Sequence, residues 1–149
     1  MVEALFYHLT ESRLEEALPP LLEKSLDRGW RVSVHVSSEE RCAALDAHLW
    51  TFREDSFLPH GSAQAAHAER QPVLLTLASR AENGATVRFV ADGADIPELD
   101  GVERLVMMFD GHDQGQLDAA RAQWKTLKSA GHSLTYWQQT PDRRWEKKA

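Results

Sequence analysis

The chain has 149 residues, 42% hydrophobic and 27% charged, enough apolar material for one core and too little for two full domains. Its formal net charge of −6 argues against a dedicated binder of phosphate backbones, which needs cations to displace their counterions. That charge is unevenly placed: residues 121–149 hold seven basic and two acidic residues, +5 of the total, which leaves −11 on residues 1–120. Such asymmetry marks the C-terminal end as a surface facing something acidic. A single cysteine, Cys42, excludes an intramolecular disulfide and any paired-cysteine zinc or redox motif. The opening Met1-Val2-Glu3-Ala4-Leu5 has no basic region ahead of a long apolar run, and nowhere do the ~18 apolar residues of a membrane span occur together. A soluble, cytoplasmic protein without a membrane partner is expected.

Ala4-Leu5-Phe6-Tyr7-His8-Leu9 is a short apolar run that reads as a buried strand, followed by the helix-start residues Thr10-Glu11-Ser12. From Leu14 to Leu26 apolar residues recur at helical spacing and Gly29 supplies a stop, while Pro19-Pro20 demands either a kink or a later helix start. Arg31–Val36 alternates as a second strand, and Ser37-Ser38-Glu39-Glu40 caps a second helix running to about Trp50. This β-α-β-α order predicts an α/β fold, with the first two strands paired in parallel and helices on the faces of the sheet. Thr51–Gln71 lacks a period and reads mostly as loop. Val73–Leu77 and Thr86–Val90 read as two strands with a turn at Ala81-Glu82-Asn83-Gly84, compatible either with a hairpin-like connection or with Arg88 on an edge strand. Glu103–Phe109 reads as a strand buried on both faces, Asp113–Ala130 as a helix ended by Gly131, and Ser133–Trp137 as a final strand. The domain is expected over residues 1–141, with 142–149 a charged tail that frays.

An open parallel sheet invites a nucleotide at a glycine-rich strand-to-helix turn. Here that turn is His8-Leu9-Thr10-Glu11-Ser12, acidic and without glycine, and no phosphate-binding loop sequence occurs elsewhere, so no cofactor is expected. The seven histidines show no paired spacing and predict no metal site. Cys42 has nothing local to activate it, and Ser56 with His60, four residues apart beside Pro59, fits a turn better than a nucleophile and its base. No catalytic residue is assigned.

The helix Asp113–Ala130 is the most informative stretch. Leu117, Ala120, Trp124 and Leu127 share one side, while Arg121, Lys125 and Lys128 form an adjoining basic stripe with Trp124 at the border. One reading packs Trp124 in the core and leaves the cations to solvate an outer face and offset the helix dipole. The other makes an aromatic-floored groove with a cationic rim, suited to an acidic peptide with a hydrophobic anchor and a terminal carboxylate.

Leu5-Phe6-Tyr7-His8-Leu9, Gly29-Trp30-Arg31-Val32, Leu49-Trp50 followed by Ser56-Phe57-Leu58-Pro59-His60-Gly61, and Arg121-x-x-Trp124-Lys125 with Gly131 form an ordered set. In these motifs the chain resembles the chi subunit family of bacterial DNA polymerase III over essentially its whole length. The resemblance implies a Rossmann-like open, mostly parallel sheet without nucleotide binding, and a non-catalytic accessory subunit of the replicative clamp-loader assembly. It implies as partners the acidic C-terminal tail of single-stranded DNA-binding protein and the clamp loader, the latter through the psi subunit in many bacteria, with DNA reached indirectly. Carried over by residue, Arg121 and Lys125 match basic tail-binding positions, Trp124 replaces another aromatic, and Lys128 replaces an arginine, exchanging a bidentate carboxylate contact for a point charge. Trp50, Phe57 and His60 are prominent in the pattern, where they either pack the loop on the second helix or dock psi. The rival readings are a Rossmann-like nucleotide-dependent enzyme and a direct single-stranded DNA binder; the missing phosphate loop speaks against the first and the −11 of residues 1–120 against the second.

Overall fold

A computed structural model describes residues 2–51, 60–62, 71–77 and 83–149. Its elements run β1 (Glu3–Leu9), α1 (Leu14–Asp27), β2 (Val32–His35), α2 (Glu39–Thr51), β3 (Gly61–Ser62), β4 (Val73–Thr76), β5 (Val87–Val90), β6 (Arg104–Asp110), α3 (Gln114–Ser129), β7 (Ser133–Gln139) and β8 (Trp145–Lys147). The strands form one sheet in the order β3-β4-β2-β5-β6-β1-β7-β8, parallel throughout except for β8 against β7. The α/β class and the mostly parallel, helix-flanked sheet are as expected.

Alternation along the strands divides the core in two. Leu9, Val34, Leu75, Phe89, Val106 and Met108 face α1 and α2, which contribute Leu18, Leu22, Leu45 and Leu49. Ala4, Phe6, Leu105, Met107 and Phe109 face the other way, under Ala120 and Leu127 of α3 and under Val102 and Ala94. Burial on both faces is why the body of β6 reads as an unbroken apolar run, whereas β2 and β5 place Ser33 and Arg88 among their apolar residues.

Four expectations are corrected. β1 and β2 are not neighbours, because β5 and β6 lie between them. β4 and β5 are not a hairpin: both run parallel to β2 and flank it, as suits strands buried at every position. Arg88 is fully buried in interior strand β5 instead of lying at an edge, with Nε donating to Ser33 Oγ at 2.8 Å and a second guanidinium nitrogen to the Glu98 carbonyl at 3.2 Å. The C-terminal tail does not fray, because Trp145 packs edge-on against Tyr7 at 4.8 Å and carries β8 onto β7.

The Pro19-Pro20 question resolves as a continuous helix, since both prolines lie inside α1. Proline at 19 removes the N–H that would reach the Glu15 carbonyl, and His48 of α2 lies 2.7 Å from that oxygen through Nε2. Ser38 caps α2 by accepting from Arg41 N at 3.2 Å, and Asp113 caps α3 by accepting from Gln116 N at 3.0 Å. Gly131 follows α3 at φ +87°, a left-handed stop that glycine adopts without strain.

Candidate functional site

β1 hands the chain to α1 on one face and β6 hands it to α3 on the other, so the carboxyl ends of these adjacent strands form the crevice where open α/β sheets bind ligands. The crevice has a volume of about 300 Å³ and is lined by residues 9–15 with Arg41, Asp92, Asp110, His112 and Gln116. The turn N–H groups are already engaged: Gln139 Oε1 accepts from Thr10, Glu11 and Ser12 at 3.2, 3.0 and 3.0 Å. Arg41 is likewise spent on Asp92 at 2.9 Å and Glu15 at 2.5 Å, which raises its pKa. Burial pushes the Glu15 carboxyl up, but the hydrogen bonds from Arg41 and the backbone and the charges of Arg41 and Arg13 together outweigh it and hold the group below the usual range. The donors that would cradle a phosphate thus have internal acceptors, and Glu11, Glu15, Asp92 and Asp110 add negative charge.

The second cavity lies between α3 and the sheet, a groove of about 370 Å³ lined by Phe6, His8, Phe109, Leu117, Ala120, Arg121, Trp124, Lys125 and Tyr136. Its floor comes from three adjacent strands whose register sets Phe6 beside Tyr136 and His8 beside Phe109. Trp124 meets the Phe6 ring edge-on at 5.2 Å and Tyr136 at 6.1 Å, so its indole is half-buried, part core and part groove wall. Arg121 and Lys125 are exposed at the rim. Arg121 reaches Asp118 at 3.9 Å with both side chains largely in solvent, a contact too weak to hold the guanidinium from a ligand.

Within the groove, His8 Nδ1 lies 2.5 Å from the Tyr136 hydroxyl, and the His8 ring stacks on Phe109 at 4.9 Å. Burial, then His112 and Arg121, lower the His8 pKa against the opposing pull of Asp110, so the neutral ring can accept from Tyr136. Burial likewise raises the Tyr136 hydroxyl and keeps it a donor. Gly111 packs so close to His8 Nε2 and to the Leu9 carbonyl that a Cβ there would collide with both. The result is an apolar trough holding a neutral polar couple, with two cations on its lip.

The structure brings Arg121, Trp124 and Lys125 together. Lys128, a turn further along α3, is exposed but does not line the groove. Trp50 lies in the last turn of α2, while Phe57 and Ser56 fall outside the described residues. His60 is 4% exposed and packs on α2, with Nε2 3.1 Å from the Asp46 carbonyl and 3.2 Å from its carboxylate. Cys42 is buried, and burial together with Asp46 and Glu39 pushes its thiol up, away from a reactive thiolate. Among the described residues, no cluster of three histidine, cysteine or acidic side chains is arranged to hold a metal ion, and no helix is long and apolar enough to cross a membrane.

The floor residues Phe6, His8, Phe109 and Tyr136 were missed in sequence. Their signal is the period-two spacing of Phe6 and His8, but that selects a face only once β1 is known to lie between β6 and β7. The basic C-terminal segment is also more divided than its sum suggests: Arg143 pairs with Glu16, Arg144 with Asp142 and Lys148 with Glu146 at 3.1–3.2 Å, leaving α3 to carry the cations at the groove.

The fold is similar to a solved structure described as the C-terminal domain of the DEAD-box protein Dbp5, with a TM-score of 0.53, 14% identity and coverage of 91% of this chain and 90% of that one, a likeness of fold alone. A protein of Rickettsia prowazekii (strain Madrid E) named probable DNA polymerase III subunit chi is 24% identical over 109 residues, 73% of this chain and 66% of that protein. The DNA polymerase III subunit chi of Pseudomonas aeruginosa is 39% identical over 44 residues, 30% of this chain and 31% of its own length. The family model described as DNA polymerase III chi subunit, HolC, matches residues 1–135, and the chain belongs to that family.

Proposed function

We propose that this protein is a non-catalytic accessory subunit of the replicative polymerase, working in the cytoplasm as an adaptor. Its α3 groove receives the acidic C-terminal tail of single-stranded DNA-binding protein, and its attachment to the clamp loader, direct or through psi, couples that protein to the polymerase. The observation that carries the reading is the placement of Arg121 and Lys125 on the lip of a trough floored by Phe6, Phe109 and Tyr136 and walled by Trp124. A tail that ends in an apolar residue would set its side chain in the trough, while its terminal carboxylate meets a rim cation and its upstream aspartates are steered by the remaining positive charge, Lys128 included. Affinity should be roughly micromolar, because a short disordered peptide loses ordering entropy and covers little area.

The nucleotide-enzyme alternative loses support from the Gln139 contacts, which occupy the turn N–H groups of the switch-point crevice. For His60 the packing on Asp46 supports a loop-holding role. A psi-docking role for Trp50 and Phe57 stays part of the proposal on resemblance alone. The test is a pull-down with full-length and tail-deleted single-stranded DNA-binding protein. Retention of the full-length protein with loss of the deleted one is expected; equal capture of both would refute the tail as the attachment.

A further inference from the structure

The sheet face opposite α3 is incompletely covered. α1 lies over its middle and ends at Asp27, and beyond it Leu5 and Tyr7 of β1, Trp137 of β7 and Trp145 of β8 border a groove of about 180 Å³. Trp30 lines the near side of the groove. The Tyr7 and Trp137 rings lie 6.4 Å apart with planes 17° from parallel, and Trp145 stands edge-on to Tyr7. Tyr7, Trp30, Trp137 and Trp145 are each half-buried and line the groove, whereas Phe89, which also lines it, is buried.

Cations surround these rings. The guanidinium groups of Arg28 and Arg104 sit 5.0 and 4.7 Å from the Trp30 ring centroid. Lys24 is exposed on the rim, and Lys147 stands directly across the β7–β8 ladder from Trp137, on the same face. Glu3 answers Arg104 at 3.4 Å, leaving the positive side chains in excess around the groove. In a chain of net charge −6 this is a local reversal of sign.

We propose that this groove binds single-stranded nucleic acid. A cationic ligand would be repelled, and a neutral apolar one would leave the cations without a role. Flat rings joined by regularly spaced negative charges match open aromatic surfaces rimmed by Lys and Arg, the combination by which single strands are held without sequence readout. The argument against a phosphate-backbone binder from total charge does not reach this face, because exposed charges act over about a Debye length, ~10 Å at 0.1 M salt. The groove lies on the opposite side of the sheet from the α3 trough, so the two sites can be filled independently.

The experiment is fluorescence anisotropy of a labelled oligothymidylate with the full chain at low and moderate salt, with tryptophan emission recorded in parallel. Binding that quenches tryptophan and weakens steeply with salt is expected, and Arg28→Glu or Lys147→Glu should each weaken it about tenfold or more. Both side chains are exposed, so the variants should keep the wild-type circular dichroism; Arg121→Glu, across the sheet, should bind the strand as wild type does. No anisotropy change at low salt would overturn the proposal. So would loss in Arg121→Glu with Arg28→Glu unaffected, which places the strand at α3, or tighter capture of an acidic peptide than of oligothymidylate by the Arg121→Glu protein, which makes this face a peptide site.

Discussion

Gln139 Oε1 lies 3.0 Å from the backbone nitrogen of Ser12, and the same oxygen also accepts from Glu11 and Thr10. One buried side chain from the end of β7 thereby fills the turn that a phosphate would need, while its Nε2 donates to Ser12 Oγ at 3.0 Å. Gln139→Leu should strand these donors and lower stability by about 2–4 kcal/mol in urea unfolding. Gln139→Glu retains the acceptor oxygens and should lose less. Equal stability of the Leu variant and wild type would show that the turn does not depend on this contact.

His48 and Pro19 should be energetically coupled. With proline at 19, His48→Ala removes the donor to the Glu15 carbonyl and should cost about 1 kcal/mol. In a Pro19→Ala background the helix supplies its own N–H to that carbonyl, and the cost of losing His48 should shrink. A double-mutant cycle measures the difference directly; strict additivity would mean that His48 does not replace the missing helical bond.

The groove's histidine predicts a pH dependence. His8 has a folded-state pKa below its ordinary 6.5, from burial first and then from His112 and Arg121. The unfolded chain therefore binds more protons in that window, so the His8 contribution is present above 6.5 and is lost as pH falls through the lowered value. His8→Asn should flatten the fall in stability as pH drops below about 6.5, relative to wild type. An unchanged slope would show that His8 titrates alike in both states.

Gly111 should matter through the same side chain. Gly111→Ala drives a Cβ toward the His8 ring and the Leu9 carbonyl, and should destabilise the fold by about 1–3 kcal/mol while disturbing the His8–Tyr136 pair. Tyr136→Phe isolates the hydrogen bond, and a loss of about 1 kcal/mol without a backbone change is expected. Urea unfolding of both variants checks the order, with Gly111→Ala the more damaging.

Local signals were legible where periodicity and caps act. The strand runs, the Ser38 cap, the Gly131 stop and the border position of Trp124 on its helix all follow from residues near one another in the chain. Strand order was not, because short strands such as Val73–Thr76 and Val87–Val90 are equally compatible with pairing to each other or on either side of β2. The groove floor depended on that order and was lost with it. Arg88 misled because a charged residue in a strand suggests an edge, whereas its hydrogen bonds to Ser33 and the Glu98 carbonyl permit full burial. Gln139 lies 127 residues from Ser12, and nothing local marks it as a cap.

The central claim is that the α3 groove takes an acidic tail by its apolar end and carboxylate. Titration of a labelled tail peptide into the wild-type, Arg121→Glu and Lys125→Glu proteins tests it most directly. Roughly micromolar binding that falls with salt, weakens about tenfold or more in either variant, and disappears when the peptide's last residue is deleted is the predicted result. Undiminished affinity in both variants, or for the shortened peptide, would contradict it.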